Sequence, residues 1–252
     1  MLNKVREDYD AIAGSFSDTR TDLWPEMESF RDYVKRGGSV LDIGCGNGRA
    51  YQLFRGLAIE YEGIDVSERL IERAKAQVAD LLASFRVGSV LDLPYEDTTF
   101  DTVLAVAVLH HIPSRRYRRR ALGEVFRVLK PGGHLLMTNW NTFNYGFLIR
   151  HPRNALEMLL PRRGLDFRDI LVPWKKGRKK ADRYLHAFTR RELGRLCRQA
   201  GFEVLEQYYV KEGLPTSWLK GHNLVTVCRR PLEPAESESE DHPFLQAGGV
   251  LQ

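Results

Sequence analysis

The stretch Leu41-Asp-Ile-Gly-Cys-Gly-Asn-Gly48 decides the fold of this chain, because three alternating glycines follow directly on a run of apolar residues. Glycine reaches positive φ and has no Cβ, so the backbone can turn sharply there and lie close to a bound ligand. The spacing is G-x-G-x-G, and Arg49 occupies the third glycine position of the dinucleotide pattern G-x-G-x-x-G. This difference argues against NAD as the ligand of the turn. A lone glycine turn is equally compatible with a structural loop, so its neighbours must decide.

Short apolar runs alternate with helical stretches on both sides of this turn. The alternation predicts an α/β, Rossmann-like fold, with a seven-stranded, mostly parallel sheet and helices on both faces. The predicted strands are residues 40–43, 59–65, 85–90, 102–108, 135–140, 203–210 and 224–228. An amphipathic N-terminal helix over residues 5–16 is expected to lie over this domain. Thr189 and Glu192 form a capping-box pattern that starts a late helix, which Gly201 is placed to end.

The 252-residue chain, 43% hydrophobic and 28% charged, can bury one substantial core, so one domain is expected over residues 1–230. Residues 141–187 are rich in basic, aromatic and proline residues and are interpreted as a basic, substrate-side insertion after the fifth strand. Residues 231–252 form an acidic, Ser/Glu-rich tail, which is predicted to be disordered.

The charge and the cysteine content limit which partners and which cellular location are expected. The net charge is +5, and without the five acidic residues of the tail it is +10, which favours an anionic partner such as RNA. The three cysteines are widely separated, which predicts no metal site and no disulfide. The chain has neither a secretory signal nor an apolar run long enough for the membrane, so a cytoplasmic protein without membrane contact is expected.

Further motifs follow at regular intervals after the glycine turn. Asp65 closes the second predicted strand, where its carboxylate can accept two hydrogen bonds from ribose hydroxyls; alternatively it caps a helix, a role that Ser67 can fill. Asp92-Leu-Pro-Tyr95, Phe100-Asp101 and Leu129-Lys-Pro-Gly-Gly133 come next. With these motifs the sequence resembles the S-adenosylmethionine (SAM)-dependent methyltransferase superfamily, which implies SAM as cofactor and S-adenosylhomocysteine as product.

The resemblance assigns a set of residues to the cofactor. They are Asp42, Gly44, Cys45, Gly46, Gly48, Asp65, Val66, Ser89, Val90 and Ala107. Ser89 departs from the superfamily, which commonly has an acidic residue there that accepts from the adenine amino group. Asp92 could substitute for it, or the Val90 backbone could recognise adenine alone.

Methyl transfer from a sulfonium is an in-line displacement, so the protein mainly aligns a nucleophile and excludes water. Residues after the fourth strand face the methyl group in this architecture, which brings forward His110, His111 and Ile112. For His111, packing or capping at the strand end is favoured over a role in the site. For His110 the two interpretations stay open.

A narrower resemblance lies outside the cofactor motifs. Tyr9-Asp-Ala-Ile-Ala13, Phe16-Ser-Asp-Thr-Arg20, Trp24-Pro25, Val108-Leu-His-His111, Leu171-Val-Pro-Trp-Lys175 and Arg183-Tyr-Leu-His-Ala-Phe188 are its motifs. They resemble the tRNA wobble-uridine carboxymethyl methyltransferases of the Elongator pathway, including the domain fused to an AlkB-like dioxygenase. The resemblance covers residues 5–230, although Thr21-Asp22-Leu23 departs from it. It implies methyl esterification of a carboxymethyl group on the first anticodon uridine.

The residue types fit this reaction. A carboxylate is ionised near neutral pH and attacks without a general base, while arginine can hold it bidentately. The predicted catalytic residues are Arg20, His110 and Arg183, and the predicted substrate-binding residues are Trp24, Trp174, Lys175, Tyr184 and His186. The aromatic ones could stack on uracil or belong to the core. Basic clusters at residues 115–120 and 175–180 could contact the anticodon stem-loop, with a solvated helix face and a charged loop as the alternatives.

The resemblance also implies a small zinc-binding activator protein as a partner. Two other functions are compatible with the superfamily motifs. One is a methyltransferase that acts on a small metabolite, and the other is a non-catalytic subunit with this fold. The intact glycine turn together with Asp65 argues against the second, because a scaffold needs neither.

Overall fold

The computed structural model describes residues 2–19, 22–159, 165–174 and 181–232. Its centre is an eight-stranded sheet with the order β3-β2-β1-β4-β5-β10-β8-β9. The strands of this sheet are β1 (Ser39–Ile43), β2 (Glu60–Asp65), β3 (Ala83–Val87), β4 (Phe100–Val106), β5 (Leu129–Trp140), β8 (Glu203–Lys211), β9 (Leu214–Thr216) and β10 (Asn223–Arg229). The two strands β6 (Asp169–Pro173) and β7 (Asp182–His186) form a separate antiparallel hairpin.

The sheet is parallel from β3 to β5 and becomes antiparallel at β10, which pairs with β5 on one side and β8 on the other. The α/β fold with a mostly parallel sheet is therefore confirmed. The strand number differs by one, because β9 adds a three-residue edge strand to β8. The intervening turn at Glu212 and Gly213 has positive φ at both residues, 53° and 80°. Three residues are too few for a period of two to be recognised in a sequence.

Helices cover both faces of the sheet. The helices are α1 (Leu2–Ser17), α2 (Glu68–Gln77), α3 (Arg115–Val128), α4 (Tyr145–Arg150), α5 (Pro152–Glu157) and α6 (Arg190–Gln199). Successive strand residues alternate between two apolar clusters: Leu41 and Val103 lie in one, and Val40 and Leu104 lie in the other. This alternation is what a sheet buried on both faces requires.

Three shorter helical segments have 3-10 geometry: Pro25–Tyr33, Arg49–Phe54 and Leu109–His111. The second of them follows the glycine turn, where the sequence pattern suggested an ordinary helix. Thr189 caps α6 as expected, since its hydroxyl accepts from the backbone N–H of Glu192 at 3.2 Å, while the Glu192 carboxylate binds Arg168 and His186 instead of completing the capping box. Gly201 follows α6 at φ 98°, which only glycine adopts easily.

The insertion after β5 contributes α4, α5 and the β6–β7 hairpin, which share a small core around Met158, Ile170 and Leu185. Helix α1 packs against this hairpin and against α2, with Ile12 buried beside Trp174. The N-terminal helix thus joins the insertion to the cofactor half of the domain. In the part of the chain described, the structure has no helix with the length and apolar character to cross a membrane. Beyond Leu232 the acidic tail lies outside the described residues.

Candidate active site

The glycine turn after β1 has the backbone that its sequence requires. Gly44, Gly46 and Gly48 have φ values of 64°, 57° and 76°. A Cβ on Gly44 would lie 2.6 Å from Val108, whereas a Cβ on Gly46 would meet nothing within 4 Å. Gly44 is therefore needed for packing. Gly46 instead leaves the turn open to a ligand, which can approach the backbone there.

A cavity of about 370 Å³ opens beside Gly46, at the carboxyl ends of β1, β2 and β4. Its volume lies within the range of small-molecule and cofactor sites. Nine of the ten predicted cofactor residues line it: Asp42, Gly44, Cys45, Gly46, Asp65, Val66, Ser89, Val90 and Ala107. The tenth, Gly48, packs instead against Ala74 and Phe85, where an added Cβ would lie 3.1 Å from each.

Asp65 ends β2 and fixes the glycine turn. Its two carboxylate oxygens accept the backbone N–H groups of Gly46 and Ser67, both at 2.9 Å. Ser67 caps α2 by accepting from the N–H of Leu70 at 3.3 Å, so the cap does not require Asp65. Burial raises the pKa of Asp65, and the two backbone hydrogen bonds oppose that effect. A carboxylate oxygen can accept more than one hydrogen bond, so Asp65, which lines the cavity, can also accept from ribose hydroxyls.

Asp42 is the second buried carboxylate at the cavity. One oxygen accepts the Tyr61 hydroxyl at 2.6 Å, whereas the other, Oδ1, has no hydrogen-bond partner among the described residues. Burial raises the pKa of Asp42 to about 7; the nearby Asp65 charge adds to the increase, and the Tyr61 hydrogen bond reduces it. An unpartnered buried carboxylate oxygen favours a cationic ligand. SAM carries a sulfonium and an ammonium group, so the residues present fit this cofactor.

The predicted adenine end of the cavity contains Ser89 and Val90. The Ser89 hydroxyl accepts the N–H of Leu91 at 3.2 Å. Asp92, one of the two proposed substitutes for the superfamily acid, is exposed, faces Arg120 at 3.9 Å and lies outside the cavity lining. Of the two alternatives for adenine recognition, the Val90 backbone is therefore better placed than Asp92.

The end of β4 is strained. Ala107 lines the cavity with φ at 60°, a left-handed conformation that costs a residue with a Cβ roughly 1–2 kcal/mol. Its N–H donates to the carbonyl of Thr138 on β5 at 3.0 Å. This bond anchors the turn that carries Val108 into the 3-10 segment of the two histidines.

His111, rather than His110, reaches the cavity. Its Nδ1 faces the carbonyl oxygen of Tyr184 at 2.9 Å, and its Nε2 faces the Tyr9 hydroxyl at 2.8 Å. Because a carbonyl oxygen only accepts, Nδ1 must carry the proton, and the neutral ring then accepts from Tyr9 at Nε2. His111 therefore lines the cavity while it also packs against Tyr9 and Trp140, and the interpretation of it as packing at the strand end stays a prediction.

His110 is buried below the cavity wall. Its Nδ1 lies 3.2 Å from Asn139 Oδ1, and its ring lies 5.5 Å from that of Trp140. Burial lowers the pKa of His110 to about 3, and the positive charge of Arg183 adds to the decrease. The ring is therefore neutral at physiological pH, and it does not line the cavity. A catalytic part for His110 stays a prediction.

Arg183 is held between two tryptophans. Its guanidinium carbon lies 5.1 Å from the ring centre of Trp140 and 4.8 Å from that of Trp174. Trp140, at the end of β5, lines the cavity, while Trp174 donates from its indole nitrogen to the Ser15 hydroxyl of α1 at 3.0 Å. The two predicted residues Arg183 and Trp174 are thus brought together beside the cavity, although both are largely buried.

The remaining predicted substrate residues are dispersed. Trp24 lines the cavity, with Arg49 stacked on its ring at 4.9 Å. Tyr184 is buried, and its hydroxyl accepts from Arg118 at 2.9 Å. His186 is buried between Asp169 and Glu192, with 2.7 and 2.9 Å between the paired atoms. It lines a second cavity and not this one. Arg20 and Lys175 lie outside the described residues.

Two residues of the site were missed from the sequence, Tyr9 and Trp140. Tyr9 belongs to α1, which also brings Leu2, Val5 and Arg6 to the cavity. Its helical spacing indicated an amphipathic helix but not what the helix covers. Trp140 carried a usable signal, because it is the last residue of a parallel strand and the carboxyl ends of such strands converge on the ligand.

Residues 41–137 match the family described as a methyltransferase domain. The chain is similar to the tRNA (carboxymethyluridine(34)-5-O)-methyltransferase of Schizosaccharomyces pombe, with 31% identity over 231 residues that cover 82% of this chain and 92% of that one. It is also similar to the Arabidopsis thaliana protein of the same name, with 37% identity over 138 residues, or 54% of this chain and 32% of the plant protein. The chain therefore spans nearly all of the first relative and about a third of the second.

Solved structures share the fold. A SAM-dependent methyltransferase of Methanosarcina mazei superposes with a TM-score of 0.69 at 25% identity, over 84% of this chain and all of that one. The methyltransferase in a complex with the Trm112 methyltransferase activator of Haloferax volcanii superposes with a TM-score of 0.65 at 21% identity, over 91% of this chain and 99% of that one.

Proposed function

Because this chain belongs to the class I SAM-dependent methyltransferases, in a branch with relatives named for carboxymethyluridine, we propose that it methyl-esterifies 5-carboxymethyluridine at the wobble position of tRNA. The proposed substrate is based on one observation. The Arg183 guanidinium is buried between Trp140 and Trp174, and Trp140 forms part of the cofactor cavity wall. A buried guanidinium flanked by aromatic faces suits a substrate that combines a carboxylate with a flat base.

The reaction requires little acid or base catalysis from the protein. SAM, when bound, supplies an electrophilic methyl group on a sulfonium. A carboxylate with a pKa near 4 is already ionised at neutral pH, so no side chain needs to remove a proton from it. The protein instead has to fix the nucleophile: Arg183 holds the carboxylate, and Trp24 offers an aromatic face for the base. Helix α1 covers the cavity and excludes water.

The hydrogen-bonded pair of Tyr9 and His111 fits the same proposal. Their 2.8 Å bond, together with the His111 bond to the Tyr184 carbonyl, ties α1 to the insertion at the cavity wall. The pair thereby positions the aromatic and cationic groups of the two segments relative to each other. A proton acceptor is not required from either residue.

A small zinc-binding activator protein is part of the proposal as a partner. Its support is the similarity of fold to the methyltransferase of the Haloferax volcanii complex. The tRNA anticodon stem-loop is the other proposed partner, and the basic body of the chain is compatible with it.

Cofactor affinity is expected to depend on pH through Asp42. Its carboxylate, with a pKa of about 7, is largely neutral at pH 6 and charged at pH 8. Because the cofactor is cationic, it binds the charged form more tightly, so SAM should bind roughly tenfold more weakly at pH 6 than at pH 8. Calorimetric titrations across this range measure the effect. Asp42→Asn should bind weakly at every pH, and an unchanged pH dependence in this variant would assign the effect to another group.

The proposed reaction is tested by nucleoside mass spectrometry on tRNA from cells that lack this protein. We expect the unesterified carboxymethyl nucleoside to accumulate and its methyl ester to disappear. Expression of the wild-type chain should restore the ester, whereas Asp65→Ala should not. Because the cell supplies any activator, the result does not depend on reconstituting one. An unchanged nucleoside profile would contradict the proposal and direct attention to a small-molecule substrate.

A further inference from the structure

A second cavity, of about 480 Å³, lies between α3 and α6, and five of its eleven lining residues are arginines. Arg115 and Arg118 come from α3, Arg168 precedes β6, and Arg191 and Arg195 come from α6. Two carboxylates, Asp166 and Glu192, face these five cations in the lining. None of these arginines belongs to the cofactor cavity.

The two carboxylates are already engaged by the protein. Asp166 accepts from Arg118 Nη2 at 2.7 Å and from the backbone N–H of Arg115 at 2.6 Å. Glu192 pairs with Arg168 at 3.2 Å and with His186 at 2.9 Å. They therefore offset Arg118 and Arg168 rather than the cations of α6, and the cavity keeps an excess of positive charge.

Arg118 is the buried arginine of this lining, and it has one unused donor. The side chain is 1% exposed, and its Nη groups bind Asp166, the Tyr184 hydroxyl and the carbonyl of Ile112. Its Nε has no hydrogen-bond partner among the described residues. The Nε itself is enclosed by protein, but the positive charge of Arg118 adds to the attraction of the cavity for an anion.

Arg191 and Arg195 lie one turn apart on α6 and are exposed at the mouth of the cavity. Neither forms a hydrogen bond or ion pair with any residue that the structure describes. Like charges four residues apart on a helix repel each other, and an anion bound between them would be attracted to both. Both helices also begin here, α3 at Arg115 and α6 at Arg190, and helix N-termini favour anions.

We propose that this cavity binds a backbone phosphate of the RNA substrate. The inference rests on the proposed function, because it takes tRNA as the substrate. Guanidinium groups match phosphate oxygens through paired N–H donors, and those of Arg191 and Arg195 form no hydrogen bond with the described residues. A contact of this kind gives affinity and register without reading sequence.

The phosphate site is linked to the methyl-transfer site through one residue. Tyr184 accepts from Arg118 with its hydroxyl and from His111 with its carbonyl oxygen, and Arg183 precedes it on the same strand. A phosphate held by the α3–α6 cavity would therefore anchor the RNA on the hairpin that carries the proposed carboxylate-binding arginine.

The test is equilibrium binding of fluorescently labelled tRNA to the full chain at several salt concentrations, without SAM. The double variant Arg191→Gln/Arg195→Gln should bind about tenfold more weakly than wild type, and its log–log salt dependence should be shallower by about one. The matched control is Arg190→Gln/Arg198→Gln, which removes the same charge from exposed positions of the same helix outside the cavity lining. It should change tRNA affinity by less than twofold.

Two results would overturn the inference. One is an equal loss of affinity in the two double variants, which would indicate a general electrostatic effect of α6. The other is saturable binding of inorganic phosphate to the wild type, lost in Arg191→Gln/Arg195→Gln, with tRNA affinity unchanged; the cavity would then serve a free anion. The nucleoside experiment tests the proposed function separately. If that function is wrong, the tRNA nucleoside profile stays unchanged, whatever the binding assay gives.

Discussion

Replacing Asp65 with alanine should weaken SAM binding by roughly two orders of magnitude. Two hydrogen bonds from ribose hydroxyls to a charged acceptor account for such a loss, at about 1.5–3 kcal/mol each. The substitution also frees the N–H groups of Gly46 and Ser67 that the carboxylate now accepts, so the glycine turn loses its support. Isothermal calorimetry with SAM measures the effect, and thermal unfolding reports whether the domain remains folded.

Two further variants separate these contributions. Asp65→Asn keeps an acceptor for one of the two backbone N–H groups and turns its amide nitrogen toward the other, so it should lose cofactor affinity with a smaller loss of stability than Asp65→Ala. Asp101→Ala is the matched control, because Asp101 also accepts a backbone N–H, that of Ser39 at 3.0 Å, but at the amino end of β4. It should reduce stability and leave SAM affinity intact. Normal SAM binding by Asp65→Ala would remove the ribose assignment.

Replacing Arg183 with glutamine should lower kcat/KM for carboxymethyluridine tRNA by about 100-fold, while SAM affinity stays at the wild-type value. The reason is positional: without the guanidinium the carboxylate loses its bidentate partner, and misplacing a nucleophile by about 1 Å can cost two orders of magnitude. Initial rates of methyl incorporation at varied tRNA concentration give the kcat and KM contributions separately.

Arg183→Lys tests whether geometry or charge matters at this position. Lysine keeps the charge but not the planar fork, and it stacks less well between Trp140 and Trp174, so only partial recovery is expected. Full recovery would indicate that a positive charge alone suffices. If Arg183→Gln methylates tRNA at the wild-type rate and remains folded, Arg183 is not the carboxylate-binding residue.

The cofactor side of the site could be predicted from the sequence because its determinants are local. The glycine turn, Asp65 and Ser89 each sit at the end of a strand, and parallel strands bring their carboxyl ends to one edge. Nine of the ten residues named for the cofactor accordingly line one cavity. Gly48 is the exception, since the turn directs it toward α2 and β3.

The substrate side depends on contacts between distant segments, which no local pattern encodes. The 3-10 turn after the strained Ala107 determines which of His110 and His111 faces the cavity. A shift of this turn by one residue would bring the other histidine to the cavity. His186 lies on β7 two residues beyond Tyr184, so it points to the same side of the hairpin, away from Arg183. Asp169 reaches His186 as its cross-strand partner in the β6–β7 hairpin, whereas Glu192 reaches it through the packing of the insertion against α6.

Helix α1 has a consequence for turnover. Among the described residues, hydrogen bonds between side chains join it to the rest of the domain from Tyr9 to His111, Asp10 to Ser67, Ser15 to Trp174 and Ser17 to Asn47. Since residues of the same helix line the cavity, breaking these bonds would widen the route by which spent cofactor leaves. We therefore expect release of S-adenosylhomocysteine, and not methyl transfer, to be the rate-limiting step of turnover.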